Sequence, residues 1–186
     1  MCIRDSYKSD SKIFIIGSGI MGILCLKFVK EKSIDYIVVS EPNPIRRKMA
    51  LEMGADFVVD PSSDSYEKDI KKLKGEHGFD VFIEAVGNPN LLSEGISYLK
   101  PRGQALMIGV HPEMSNLDYD LYDLHYKEIS ISAAMGAGNS FEEALDTITM
   151  IYNPNLVAKR FSLNEIKKAF IEAEKGEGAK YIISPN

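Results

Sequence analysis

Tryptophan is absent from the 186-residue chain, and cysteine and histidine are scarce, with two and three residues. Two thiols are too few for a disulfide framework, and with no export signal in view they read as the reduced cysteines of a cytoplasmic protein. Long apolar runs are lacking too. Stretches such as 13–16 stop after a few residues, so neither a membrane span nor a membrane partner is expected. Nor is positive charge in excess: 22 basic residues face 27 acidic ones, a net charge of −5. The densest basic clusters, Arg46-Arg47-Lys48 and Lys71-Lys72, are short and fall on predicted helices. A chain with no extended positive field is a poor partner for nucleic acid.

What the chain does have is 45% apolar residues in a length suited to one domain. From Lys12 onward, short β-branched runs alternate with amphipathic stretches, the pattern of a parallel sheet covered by helices. Strands are expected at 12–16, 36–39, 56–59, 81–83, 105–108 and near 129–134. Helices are expected at about 20–32, from Pro44 to Gly54, at 66–74 and at 140–152, and another, marked by Leu92, Ile96 and Leu99, is expected to end at Pro101. Asn43-Pro44 supplies a cap and a proline at the first helical position. The sum is an α/β fold, a Rossmann doubly wound parallel sheet of about six strands with helices on both faces.

Residues 1–10 show no periodicity and read as a disordered or non-native leader, and 11–155 as the main domain. In 156–186 the capping box Ser162-Leu-Asn-Glu165 opens a helix expected to bury Ile166, Phe170 and Ala173, and a terminal strand follows at 180–183. This segment is expected to lie outside the main sheet. The apolar edge from Ile129 to Met135 is a candidate surface for a homo-oligomer.

Gly17-Ser-Gly19-Ile-Met-Gly22 follows the first strand and opens the first helix. Gly17 permits a tight turn, Gly19 lets backbone approach a pyrophosphate, and Gly22 lets helix and strand pack closely. The first-turn amides of Ile20, Met21 and Gly22 then face the phosphates with the positive end of the helix dipole. Glu41, nineteen residues after Gly22, ends the second strand, where a carboxylate can accept hydrogen bonds from adenosine ribose hydroxyls. It would repel the extra 2′-phosphate of NADP, which favours NAD. Arg46 and Arg47 temper that preference, because a guanidinium near the ribose accommodates phosphate.

Taken together, Gly17–Gly22, Val39-Ser-Glu-Pro-Asn-Pro-Ile-Arg-Arg47, Gly54-Ala-Asp56, Asp80-Val-Phe-Ile-Glu-Ala-Val-Gly87, Pro101-Arg-Gly103, Ile108-Gly-Val110 and the tail from Phe161 to Ile183 resemble one family. It is the zinc-type medium-chain alcohol dehydrogenases, in their polyol, butanediol and threonine dehydrogenase branch. The resemblance implies that Ala85 and Val86 line the nicotinamide ribose, with Gly87 leaving room. It also implies that Ile108, Ala133 and Met135 offer backbone groups to the carboxamide, and that Lys180 lies against the pyrophosphate. The implied reaction is reversible oxidation of a secondary alcohol, a small alcohol or polyol, to a ketone by hydride transfer to NAD.

In that family a zinc site of Cys, His and Glu or Cys ligands sits in a catalytic domain N-terminal to the cofactor domain. Only eleven residues precede the first strand here, so that domain, and zinc with it, is expected to be missing, truncated away or encoded separately. Cys25, His77, His111 and His125 show no Cys-x-x-Cys or His-x-x-x-His spacing, so neither a metal ligand nor a catalytic residue is assigned. As given, the chain is expected to bind NAD without turning over an alcohol. The alternatives are a nonenzymatic NAD-sensing module and a methyltransferase, whose third glycine usually falls where this chain has Met21.

Overall fold

The computed structural model describes residues 10–34, 36–135 and 141–185. β1 (Ile13–Ile16), α1 (Ile20–Lys30), β2 (Ile37–Ser40), α2 (Pro44–Glu52) and β3 (Phe57–Val59) form the first half of the main sheet and its helices. After α3 (Tyr66–Lys74) come β4 (Phe79–Glu84), α4 (Pro89–Ser97), β5 (Leu99–Met107), α5 (Leu121–Tyr126), β6 (Ser130–Ala133) and α6 (Phe141–Ile151). The strands lie in the order β3-β2-β1-β4-β5-β6, and every neighbouring pair is parallel. The chain therefore runs outward from β1 to one edge, crosses back, and runs outward from β4 to the other. A crevice opens where the order reverses, at the carboxyl ends of β1 and β4.

Successive strand residues point to opposite faces and feed two cores. Ile13, Ile15, Ile37, Val39, Val81 and Ile83 pack with Ile23, Leu26 and Val29 of α1, with Ala50 of α2 and with Met53 just past its end. Phe14, Ile16, Val38 and Phe82 pack with Tyr66 and Ile70 of α3 and with Leu92 and Ile96 of α4. Phe14 stacks on Phe79 and Phe82 at ring separations of 5.0 and 5.8 Å. A strand covered on both sides has no place for a polar side chain, which is why β1 reads as one apolar run.

Three expectations are corrected. Pro101 does not end α4, which stops at Ser97; it lies inside β5. There the pairing with β4 jumps from Phe79↔Leu99 to Val81↔Gln104, and Pro101, Arg102 and Gly103 occupy the bulge, where a missing N–H breaks no ladder bond. α5 was not anticipated, because six residues capped by Asp120 are too few to show a period.

The third correction is in the C-terminal segment, where β7 (Val157–Ser162), which the apolar pattern had not suggested, pairs in parallel with β8 (Lys180–Ser184) in a separate two-stranded sheet. Between them α7 (Ile166–Glu174) does not bury Ile166, Phe170 and Ala173; all three are exposed, and the buried residue is Ala169. Among the described residues, no helix is long and apolar enough to cross a membrane.

Candidate functional site

β1 hands over to α1 through a turn whose three glycines meet different surroundings. Gly17 has φ +92°, and a Cβ on it would lie 2.6 Å from Val86 Cγ2. A Cβ on Gly22 would lie 1.9 Å from the Gly17 carbonyl oxygen, so helix and turn touch through bare backbone. Gly19 faces open space instead, its nearest neighbour being Arg46 Nη1 at 4.0 Å from the Cβ position. The first intrahelical bond runs from Ile23 N–H to the Gly19 carbonyl at 3.0 Å, and no side chain caps α1. At this helix start, uncapped among the described residues, the amides of Ile20, Met21 and Gly22 form a cradle of donors at the positive end of the helix dipole, and such a set can hold an anion.

Glu41, just past β2, is only 3% exposed and accepts three hydrogen bonds from the chain. Its Oε2 accepts the Ser18 N–H at 2.8 Å and the Ser18 hydroxyl at 3.1 Å, and its Oε1 accepts the Asn43 N–H at 3.0 Å. A carboxylate offers about four lone-pair positions, so three internal donors leave about one, on Oε1, for an incoming hydroxyl. The acid is thus fixed against the glycine turn rather than solvated.

Arg46 and Arg47 diverge. Arg47 is structural: its Nη1 donates to the Glu41 and Pro42 carbonyls, both at 2.7 Å, and its Nη2 pairs with Asp60 at 2.9 Å. Arg46 lies between Gly19 and Gly176, its Nη2 3.2 Å from the Cβ position of the latter, and its buried Nε has no partner among the described residues. Asn43 caps α2 with its Oδ1 and donates from Nδ2 to the Gly176 carbonyl at 3.2 Å. The turn before β8 therefore borders the site. Lys180, in the strand that follows, is exposed.

Across the crevice, Ala85 N–H bonds the Ile16 carbonyl at 3.0 Å, which sets the loop after β4 beside the glycine turn. Ala85 is half-buried and Val86 exposed; Gly87 has φ +88° and touches the Val110 carbonyl through backbone. Ile108 N–H bonds the Glu84 carbonyl at 2.9 Å, and Ala133, paired with Met107, ends the neighbouring β6. Met135 lies beyond it and is exposed. The cradle, Glu41 and Arg46 thus share one side of the crevice. Ala85, Val86, Gly87 and Ile108 line the other, with Ala133 and Met135 one strand further out.

Ser18 and Glu84 are not singled out by the sequence; Asn43 is, as the cap of α2, but not its ties to Glu41 and Gly176. Glu84 leaves a signal, as an acid directly after the apolar run 81–83, whereas Ser18 leaves none beyond its place in the glycine motif.

Other reactive groups lie elsewhere. Burial pushes the Cys25 thiol up to about 12, which makes it inert. Open grooves of about 620 Å³ beside α5 and about 610 Å³ at the amino ends of β1 and β4 both lie away from the glycine turn. The crevice is marked by its hydrogen-bond donors and acceptors, not by its volume. Among the described residues no group of three His, Cys, Asp or Glu could hold a metal ion, so zinc does not fit on them.

Residues 20–150 match the family model described as zinc-binding dehydrogenase. The chain is 30% identical to L-threonine 3-dehydrogenase of Pyrococcus abyssi (strain GE5 / Orsay) over 112 residues, covering 60% of this chain and 32% of that protein. It is 29% identical to sorbitol dehydrogenase of Rattus norvegicus over 187 residues, covering 98% and 52%. The crystal structure of 2R,3R-butanediol dehydrogenase from Bacillus subtilis superposes with a TM-score of 0.84 at 25% identity, covering 99% of this chain and 54% of that one. The matches span between about a third and about half of the length of these relatives.

Proposed function

Because the chain belongs to the zinc-binding dehydrogenase family, we propose that it is the NAD(P)-holding part of an alcohol or polyol dehydrogenase and favours NAD. The observation that carries this reading is Glu41, fixed against the glycine turn at the end of β2 with one lone-pair position open. In this reading the diphosphate sits at Gly19 and the amides of Ile20, Met21 and Gly22, where the helix end stabilises its charge. Glu41 grips the adenosine ribose, and Arg46, whose Nε is unpartnered among the described residues, closes over the same end together with the turn that leads to Lys180. Ala85, Val86 and Gly87 bound the nicotinamide ribose, while Ile108, Ala133 and Met135 meet the carboxamide.

Bound in this way, the nicotinamide supplies the hydride acceptor for a secondary alcohol becoming a ketone. The zinc and the alcohol are held by residues other than those described here, which contain no fitting metal cluster. The chain alone therefore binds dinucleotide without oxidising alcohol, and zinc-dependent turnover by the purified chain would contradict that. Residues 156–186 pack, in this reading, on the domain that carries the zinc.

Calorimetric titration with NADH, NADPH and S-adenosylmethionine tests the reading. NADH should bind best, and Glu41→Ala should weaken it about tenfold or more, as expected for a lost charge-assisted hydrogen bond, while weakening NADPH less. Equal loss for both would remove Glu41 from the specificity role. No heat with either dinucleotide would overturn the function.

A further inference from the structure

Glu84 and His111 form a pair to which the proposed function gives no role. Glu84 is completely buried at the end of β4. Its Oε1 accepts the N–H groups of Val86 at 2.8 Å and Gly87 at 2.7 Å, and so holds the loop that follows the strand. Its Oε2 faces His111 Nε2 at 3.6 Å, and neither atom has a hydrogen-bond partner among the described residues. A buried carboxylate oxygen without a donor is costly, and a shift of about 0.6 Å closes the gap to a normal hydrogen bond of about 3 Å.

The two loops that this pair joins meet through bare backbone. A Cβ on Gly109 would lie 2.1 Å from Gly87 N and 2.6 Å from Glu84 Oε2, and one on Gly87 would lie 2.3 Å from the Val110 carbonyl oxygen. At Gly87 and Gly109, therefore, no side chain holds the loops together. The backbone ties to β4, from Ile108 N–H and Gly109 N–H to the Glu84 carbonyl, end at Gly109, and His111 lies just beyond them.

We propose that His111 is a positioning residue: its Nε2–H donates to Glu84 Oε2, clamps the segment 108–111 onto the loop 85–88, and so fixes the wall met by the nicotinamide end of a dinucleotide. This rests on the dinucleotide reading above. The tie needs only a donor at Nε2, which the neutral Nε2–H tautomer and the imidazolium both supply.

The test compares the full wild-type chain with His111→Leu and His111→Gln, each titrated with NADH and with ADP-ribose, which lacks the nicotinamide ring. Wild type should bind both ligands. His111→Leu should lose about tenfold in NADH affinity with ADP-ribose unchanged, and His111→Gln, which keeps an N–H near the same place, should restore most of the loss. A Leu variant that loses both ligands equally or neither, or a Gln variant no better than Leu, would overturn the clamp alone. A wild-type chain that binds neither ligand would overturn the dinucleotide reading and the clamp with it. Proton–nitrogen spectra of the His111 ring provide a ligand-free check: the clamp requires a proton on Nε2, and a ring protonated on Nδ1 alone would overturn it.

Discussion

The six-stranded sheet and the β7–α7–β8 unit treat their apolar side chains in opposite ways. In the sheet, Phe14, Ile15 and Phe82 are completely buried between two helical layers. In the C-terminal unit Phe161 is buried, but Leu163, Ile166, Phe170 and Ile171 are 54%, 41%, 64% and 57% exposed. The C-terminal unit thus leaves bulky apolar side chains half-exposed, whereas β1 and the apolar residues of β4 are covered on both faces. The candidate site lies where the two regions touch, through Asn43 and Arg46 against Gly176.

That contrast is open to measurement. Phe82→Ala should cost about 3–5 kcal/mol in urea unfolding, because the ring packs in the core and Gly95 of α4 presses directly on it. Phe170→Ser should change stability by no more than about 0.5 kcal/mol, and comparable losses at the two sites would erase the distinction. Amide exchange should be faster in β7, α7 and β8 than in β1, β2 and β4; uniform protection would make the molecule one cooperative body.

The smallest effect concerns acid. The Ser162 N–H and hydroxyl bonded to Glu165 hold its carboxyl below the ordinary 4.5. A depressed carboxyl contributes stability above its unfolded value and loses it as pH falls through the folded one. The protection factor at the start of α7, the observed exchange rate set against the intrinsic rate at the same pH, should therefore fall below pH 4.5 while that of β1 holds. A start of α7 as acid-resistant as β1 would remove the role of the capping box.

How much of this was legible in the sequence follows from the kind of interaction involved. The parallel sheet could be read because doubly buried strands must be apolar runs, and the family resemblance drawn from the motifs agrees with the family model matched over 20–150. β7 escaped because Lys159 and Arg160 interrupt its apolar pattern. In α7, periodicity identified the residues sharing a face but not the face that meets protein, so Ile166 and Phe170 were placed inward and Ala169 was overlooked. The glycines and Glu41 could be named because backbone sterics and spacing define them. Ser18, the ties of Asn43 to Glu41 and Gly176, and the approach of His111 to Glu84 depend on side-chain orientations that exist only once β1, β2, β4 and β5 are paired.

The central claim is that an uncapped α1, with Glu41 beside it, receives a dinucleotide, and amide chemical-shift mapping of the chain with added NADH addresses it most directly. The largest shifts should fall at Ser18 to Gly22, Glu41, Ala85 to Gly87 and Ile108–Gly109. Shifts absent from these amides, or confined to the groove beside α5, would contradict it.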